Sequence, residues 1–173
     1  EAYNEALLPS ILPDSFAIAD ASEEDQTYMN TLNIAGDEMM GIVEIPKIDI
    51  KLPIYHTTKE DVLKQAAGHL EGSSLPIGGK STHSVISAHR GLPSASLFTD
   101  LDQLKKGDHF LIHVLNKTLC YEVDKISVVK PEETSALAVE EGEDLVTLLT
   151  CTPYGVNTER LLVRGHRVPY EEQ

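Results

Sequence analysis

The stretch that decides the fold is residues 145–151, which read LVTLLTC. Its first five residues are apolar on both faces, a pattern typical of a central strand that is buried on both sides. The stretch ends at Cys151, and Pro153 and Gly155 follow at once, so the cysteine opens into a loop. A cysteine in this place is positioned like a nucleophile held on a rigid element beside a cleft. A buried core thiol is the alternative, because free cysteines are among the most buried residues.

Short β-branched runs broken by Gly and Pro extend on either side of this stretch, from Gly41 onward, and predict further strands. The complete set of predicted strands is 41–45, 48–55, 83–89, 108–115, 118–129, 145–151 and 160–168. Asn116-Lys117 is a hairpin turn signal, so residues 108–129 are expected to form an antiparallel pair. Short helical pieces fit residues 59–67, 98–104 and 131–138. The predicted fold class is therefore all-β-dominated, a barrel or sandwich with a helical preface.

Length and composition indicate one globular domain. The chain has 173 residues, of which 41% are hydrophobic and 24% charged, close to the averages for soluble globular proteins. No stretch approaches the roughly 18 consecutive apolar residues that a membrane span needs. The net charge of −14 argues against binding to a phosphate backbone, since that binding needs clustered Lys and Arg.

The first forty residues differ in charge from the rest of the chain. They hold nine acidic residues and no Lys or Arg, which leaves a net charge of −5 for all the residues after them. Residues 22–35 carry apolar positions at helical spacing and predict a capped amphipathic helix. We therefore expect residues 1–40 to form a helical appendage, either solvated or lying over a basic site, and residues 41–173 to form the main β domain.

Two further residues stand at strand ends and complete a set with Cys151. The predicted strand 83–89 delivers His89, and Arg160 starts the last predicted strand, nine residues after Cys151. Taken alone, each is more simply a structural or surface residue. Together they supply what acyl transfer requires: a thiolate nucleophile, an acid and base, and a fixed positive donor for the developing oxyanion.

The residues around this set resemble those of the sortases. The resemblance rests on residues 147–151 with Arg160 and extends over roughly residues 41–169. The sequence after His89, which contains Gly-Leu-Pro, is most similar to that of class C, the pilus-assembling sortases of Gram-positive bacteria. The other matching stretches are Ile45-Pro46-Lys47-Ile48, Leu52-Pro53-Ile54-Tyr55, Gly68-His69-Leu70, Ser87-Ala88-His89-Arg90-Gly91 and Leu97-Phe98-Thr99-Asp100-Leu101.

The resemblance implies a closed eight-stranded β-barrel as the catalytic domain, and an enzyme that cleaves a Leu-Pro-x-Thr-Gly-like sorting signal between Thr and Gly. It implies Cys151 as the nucleophile, His89 as the general acid and then base, and Arg160 as the clamp on the oxyanion or substrate carbonyl. A thioacyl intermediate would pass to a Lys amine of a pilin subunit, so pilins are the implied partners. No cofactor and no metal are implied. The implied location is the extracellular face of the cell membrane, with anchoring segments outside this sequence.

Class C sortases also resemble one another in an N-terminal lid, whose Asp-Pro-aromatic tripeptide covers the site. The matching sequence here is residues 12–16, LPDSF, in which Ser15 occupies the position of the proline. The resemblance implies that Asp14 meets the guanidinium of the catalytic arginine and that Phe16 covers the nucleophile. An ordinary exposed loop is the alternative.

Several other polar residues have simpler interpretations. Cys120 lies in a predicted hairpin strand without a basic neighbour and is interpreted as a bystander. Arg90 is expected on the strand face opposite the catalytic histidine, paired with an acid. Asp100 could balance the imidazole or cap a turn, and is left out of the catalytic set. His109 and His113 could suggest a metal pair, but no third ligand follows from the sequence.

Two other functions fit the same sequence. A hydrolytic cysteine peptidase would use the same three residues, with water in place of the amine. A non-catalytic β-barrel module could bind calcium through residues 140–144, EEGED, although these lack the order of acidic residues of a dedicated calcium loop. Labelling of Cys151 by a sorting peptide would separate the enzyme from the module.

Overall fold

Eight strands form the fold, and the computed structural model describes residues 39–63, 65–90, 97–152 and 158–170. The strands are β1 Met39–Ile45, β2 Ile50–His56, β3 Ala67–His69, β4 Thr82–Ser87, β5 His109–Val114, β6 Lys117–Val129, β7 Asp144–Thr152 and β8 Glu159–Val168. They close into one barrel in the order β1-β2-β3-β4-β7-β8-β6-β5, and β5 pairs back onto β1. The expected closed eight-stranded barrel is confirmed. The expected helix at 22–35 and the lid candidates Asp14 and Phe16 lie outside the described residues.

The stretch 145–151 lies in the middle of the sheet, as predicted. Its strand β7 pairs in parallel with β4 and antiparallel with β8, and all residues of the stretch are buried. Val146 and Leu148 point into the barrel core, whereas Leu149 points to the opposite, outer face. The outer cluster around it contains Leu70, Val85, Leu137 and Leu162. The core covers one face of β7, and the segment between β6 and β7 covers part of the other.

The predicted hairpin of β5 and β6 forms, but its turn lies one residue earlier than expected. Val114 pairs with Lys117, so Leu115 and Asn116 are the two turn residues. Both have positive φ, 50° and 62°, which a two-residue hairpin turn of type I′ requires at both central positions. Asn adopts that conformation readily and Leu does not, so the local sequence favoured Asn116-Lys117.

The helical piece expected at residues 59–67 is shorter, and a strand that the sequence did not predict follows it. Helix α1 spans only Glu60–Leu63. Strand β3 comes next, hydrogen-bonded in parallel to β2 and antiparallel to β4. A Cβ at Gly68 would collide with the Thr57 carbonyl oxygen, so the close approach of these backbones requires a glycine. A three-residue strand carries no period by which it could be recognised.

The helices expected at residues 98–104 and 131–138 are instead single 3₁₀ turns, at Leu101–Gln103 and Ser135–Leu137. A further 3₁₀ turn follows β1 at Pro46–Ile48. Across the described ranges, no helix is long and apolar enough to cross a membrane. Strand β4 ends at Ser87, so His89 lies just beyond the strand rather than at its last residue as predicted.

Candidate active site

The registers of three neighbouring strands place the residues singled out from the sequence in one row. Cys151 on β7 is the direct register partner of Arg160 on β8. The parallel register of β4 and β7 pairs Ser87 with Leu149, and His89 and Cys151 follow two residues later on each chain. The fold therefore brings the three residues together at one end of adjacent strands, although they are far apart in sequence.

Cys151 and Arg160 lie on the outer face of the barrel. Side chains alternate between the two faces of a strand, and Leu149, two positions before Cys151, belongs to the outer cluster. The register partner of Cys151 on β8 shares that face. Val85 also belongs to the outer cluster, and His89 follows two residues after the end of β4 at Ser87. The thiol and the guanidinium thus share one surface, with His89 on the neighbouring chain segment.

The three side chains differ in exposure. Cys151 retains 7% of its accessible surface and Arg160 retains 9%, whereas His89 is half-buried. The Arg160 Nη1 donates a hydrogen bond to the carbonyl of Glu159 at 3.0 Å, which orients the planar head of the side chain. A guanidinium carries five N–H donors in a rigid fork. The arrangement can therefore combine a nucleophile, a proton carrier and a set of oriented donors.

An apolar pocket opens on the same face, and Arg160 forms part of its wall. Its other walls include Leu137, Leu149 and Leu162. The cavity is small, about 10 Å³, which is room for about one water molecule.

The segment 130–143, which lines this pocket, is held to the barrel by His83. The His83 Nδ1 lies 2.9 Å from the Ala138 carbonyl oxygen, and its Nε2 lies 2.6 Å from Thr147 Oγ1. Because a carbonyl only accepts, we assign the proton to Nδ1, and Nε2 accepts from the threonine hydroxyl. Burial lowers the pKa of His83, which favours this neutral form. Sequence reasoning missed the contact, since no local signal links residue 83 to residue 138.

Two side chains tie the ends of β4 and β7 together. The Thr150 hydroxyl donates to the Ala88 carbonyl at 2.8 Å. The Arg90 guanidinium donates to the carbonyl of Cys151 at 3.4 Å and to the carbonyl of Thr99 at 3.1 Å. The sequence gave no signal for these carbonyl contacts.

The structure also shows the surroundings of three other residues considered from the sequence. Arg90 lies 3.3 Å from the Asp102 carboxylate, which confirms its expected pairing with an acid. Asp100 is exposed and begins the turn at 101–103 without a side-chain capping bond. Cys120 is a free, buried thiol on β6, and burial raises its pKa. Cys151 likewise forms no disulfide.

Four of the histidines and acids weighed as metal ligands have an ionisable side chain as partner. His113 Nε2 lies 2.8 Å from a Glu44 carboxylate oxygen, and Glu140 lies 3.4 Å from Arg164. The other pairs of this set are His109 with Glu122 and Asp144 with Arg167. In the part of the chain that the structure describes, no three His, Cys, Asp or Glu side chains are grouped so that they could hold a metal ion.

Residues 43–168 match the family model described as the sortase domain. The chain belongs to the sortase family. Solved structures that resemble this sortase over nearly all of its length are C-type sortases, and the class C assignment made from the sequence is confirmed.

The similarity to these structures is high. Sortase C-1 from Actinomyces oris is 48% identical, with a TM-score of 0.94 over 98% of this chain and 93% of that one. Sortase C from Streptococcus pneumoniae is 50% identical, with a TM-score of 0.88 over 98% of this chain and 84% of that one. The pilus-related sortase C of Group B Streptococcus is 50% identical, with a TM-score of 0.89 over 98% and 85% of the two chains.

Curated relatives are more distant and longer. Sortase D of Bacillus subtilis (strain 168) is 31% identical over 131 residues, which are 74% of this chain and 63% of that protein. The match thus spans less than two thirds of that relative's length.

Proposed function

We propose that this sortase is a cysteine transpeptidase that cleaves a Leu-Pro-x-Thr-Gly-like sorting signal between Thr and Gly and joins the Thr to a Lys amine of a pilin. The observation that carries the proposal is the placement of Cys151, His89 and Arg160 at one end of the adjacent strands β7, β4 and β8. Similarity to a pilus-related sortase C supports a pilin as the substrate. Polymerised pilus subunits linked by isopeptide bonds would be the product.

The reaction uses the three residues in turn. The Cys151 sulfur attacks the carbonyl carbon of the signal's Thr, and Arg160 donates hydrogen bonds to the oxygen on which negative charge develops. The C–N bond to Gly then breaks, and protonated His89 gives its proton to the leaving amine, so a thioester to Cys151 is left. A pilin Lys amine attacks this thioester, and His89 takes up the proton that the amine loses. The C–S bond breaks, which yields the isopeptide and frees the cysteine.

The pocket beside Arg160 supports this class of substrate. In its wall Val129 and Pro131 remain partly exposed and offer an apolar surface for the Leu and Pro of the signal, and burial of such side chains favours binding. Arg160 in the same wall would then lie near the peptide carbonyls that follow. No cofactor or metal enters this reaction.

A lid and a location complete the proposal. Asp14 and Phe16 are proposed to cover the site, and the support is electrostatic: nine acids and no Lys or Arg in residues 1–40 favour a position over a face that carries Arg160. The proposed location is the extracellular face of the cell membrane, with the anchor in segments outside this sequence.

Intact mass spectrometry tests the function. The protein is incubated with a Leu-Pro-x-Thr-Gly peptide, with and without an amine acceptor, as the wild type, as Cys151→Ala and as the Asp14→Ala, Phe16→Ala double variant. A thioacyl adduct is expected on the wild type, more rapidly on the double variant, and on no protein that lacks Cys151. Added amine should discharge the adduct as an amide.

Two other outcomes would contradict the proposal in different ways. An adduct that water discharges equally well in the presence of amine would make the chain a hydrolytic cysteine peptidase. The absence of any adduct on both the wild type and the double variant would leave the barrel without this activity.

A further inference from the structure

Arg90 is a buried arginine at the back of the proposed site. Its side chain retains only 4% of its surface, and it directly follows His89. The guanidinium reaches the Cys151 carbonyl at 3.4 Å and the Thr99 carbonyl at 3.1 Å. The Asp102 carboxylate lies 3.3 Å away and is itself 58% exposed. Arg90 therefore bridges the main chain of two separate segments.

We propose that Arg90 is a positioning residue that sets the distance between the Cys151 thiol and the His89 imidazole. The inference rests on the proposed function, in which those two groups act together. Arg90 is joined to His89 by a peptide bond and to the Cys151 main chain by a hydrogen bond. One buried side chain thus connects the two reacting residues across the β4–β7 pair.

The connection matters because His89 lies beyond the last pair of the β4 ladder. The carbonyl of the residue before it accepts from the Thr150 hydroxyl at 2.8 Å. Its own carbonyl accepts from the Phe98 N–H at 3.0 Å. These two contacts hold the main chain of His89, and the contact from Arg90 extends to Cys151 itself. The main chain of His89 is thereby held relative to that of Cys151 as well as to the end of β4.

The carbonyl contacts, rather than the ion pair, give Arg90 this role. An exposed carboxylate such as Asp102 contributes little to an ion pair. The bond to the Thr99 carbonyl, at 3.1 Å, comes from a charged donor and has an ordinary length, whereas the contact with the Cys151 carbonyl, at 3.4 Å, is a long one. A planar guanidinium can reach two carbonyls at fixed angles, which a flexible lysine ammonium cannot reproduce in full. A misplacement of about 1 Å between reacting groups can cost on the order of 100-fold in rate.

The test compares Arg90→Gln and Arg90→Lys with a matched control, Arg167→Gln. Arg167 is also a guanidinium with a carboxylate partner, Asp144 at 3.4 Å, but it lies at the other end of β8 from the site. All proteins carry Cys120→Ala, so that only one thiol can be acylated. Rapid-quench mass spectrometry gives the maximal rate of thioacyl formation and the half-saturating peptide concentration, and thermal unfolding gives Tm.

We expect Arg90→Gln to lower the maximal rate at least about tenfold, with little change in the half-saturating peptide concentration, because the lost interaction orients reacting groups rather than the peptide. Arg90→Lys should recover part of that rate, and Arg167→Gln should keep all of it. An Arg90→Gln protein with lowered Tm and an unchanged maximal rate would overturn the proposal, since its role would then be structural only.

The proposal stays testable if Arg90→Gln does not fold. In that case the Arg90→Lys protein is the test. A lower maximal rate, with a half-saturating peptide concentration equal to that of the wild type, supports positioning. An unchanged maximal rate overturns it. If the wild type forms no adduct, the proposed function fails, which is distinct from an active wild type whose rate does not depend on Arg90.

Discussion

The position of Arg160 suits donation of hydrogen bonds to the oxyanion, which requires the planar guanidinium and not only its positive charge. It is the register partner of Cys151, and its bond to the Glu159 carbonyl orients the fork. We expect Arg160→Lys to lower the maximal rate of thioacyl formation about 100-fold. Loss of one oxyanion donor typically costs about 10²–10³ in rate, and lysine keeps the charge without the fork. Single-turnover mass spectrometry with a sorting peptide measures this rate.

The control for that prediction is Arg164→Lys, on the same strand. Arg164 has its own partner, with Nε 2.9 Å from an Asp124 oxygen, and it lies four positions beyond Arg160. We expect this variant to keep the wild-type rate, because its guanidinium serves an ion pair. Full activity in Arg160→Lys would remove Arg160 from the oxyanion role.

Individual residues could be singled out from the sequence where a strand signal ends in a reactive side chain. Cys151, His89 and Arg160 all meet that condition, and the structure brings them into one row. The contacts of Arg90 and His83 could not be found in this way, because they join residues 61 and 55 positions apart. Which strands become neighbours, and in which register, depends on long-range packing that no local pattern records.

Among the elements, the segment 130–143 decides the shape of the pocket, and its attachment depends on His83. We expect His83→Leu to raise the half-saturating concentration of the sorting peptide about five- to tenfold. The variant loses a hydrogen bond to Ala138, and such a bond is worth about 1 to 1.5 kcal/mol. The maximal rate of thioacyl formation should change little, because the row at the strand ends is untouched. The same rapid-quench assay separates the two quantities.

A matched variant, His113→Leu, distinguishes this effect from general loss of stability. His113 is a half-buried histidine on β5 with Glu44 and Thr118 as partners, on a strand that is not adjacent to β7. Hydrogen exchange across 134–143 should accelerate in His83→Leu and not in His113→Leu. Equal exchange and equal peptide concentrations in the two variants would contradict the role of His83 as an anchor.

Long elements were predicted more accurately from the sequence than short ones. Strands such as β6 and β7 were expected within one residue of their observed ends, since long alternating or buried runs carry a clear signal. β3 was missed and its first residue was assigned to a helix. Its three residues, Ala67–His69, are a strand only because β2 and β4 lie on either side and supply hydrogen-bond partners, which is a tertiary cause.

At the scale of the whole molecule, the charge distribution favours a cover over the site. We expect Asp14→Ala with Phe16→Ala to raise the rate at which a thiol reagent modifies Cys151 in a Cys120→Ala background. If attraction to Arg160 holds the lid, salt should also accelerate the modification of the parent protein, because it screens exposed charges. Mass spectrometry after timed quenching measures both rates.

The control for the lid removes acidic charge elsewhere in the first forty residues. Glu23→Ala with Glu24→Ala deletes two carboxylates and leaves Asp14 and Phe16 in place. We expect its rate of thiol modification to stay close to that of the parent protein. An unchanged rate in the Asp14 and Phe16 double variant would remove the lid from the proposed function.

The stability of the whole barrel should depend on pH through His69. This side chain is fully buried on β3, with Nε2 2.7 Å from the Ser74 carbonyl oxygen, and its cross-strand partner is His56. Burial, more than any other cause, lowers the pKa of His69 to about 4. The imidazole is therefore neutral in the folded protein at neutral pH, and charging it would leave an ion without solvent inside the barrel.

The sign of the resulting pH dependence follows from the unfolded state, in which a histidine has a pKa of about 6.5. As pH falls below that value, the unfolded chain binds a proton that the folded chain does not, so the stabilisation present above pH 6.5 is lost progressively toward pH 4. Between pH 7 and pH 5 the loss is about 2 kcal/mol. In His69→Gln the amide can still donate to the Ser74 carbonyl. We expect the free energy of unfolding of this variant to fall by about 2 kcal/mol less than that of the wild type between pH 7 and pH 5. Urea unfolding at the two pH values measures the difference, with the exposed His109→Gln as control, and an equal pH dependence of His69→Gln and the wild type would contradict the argument.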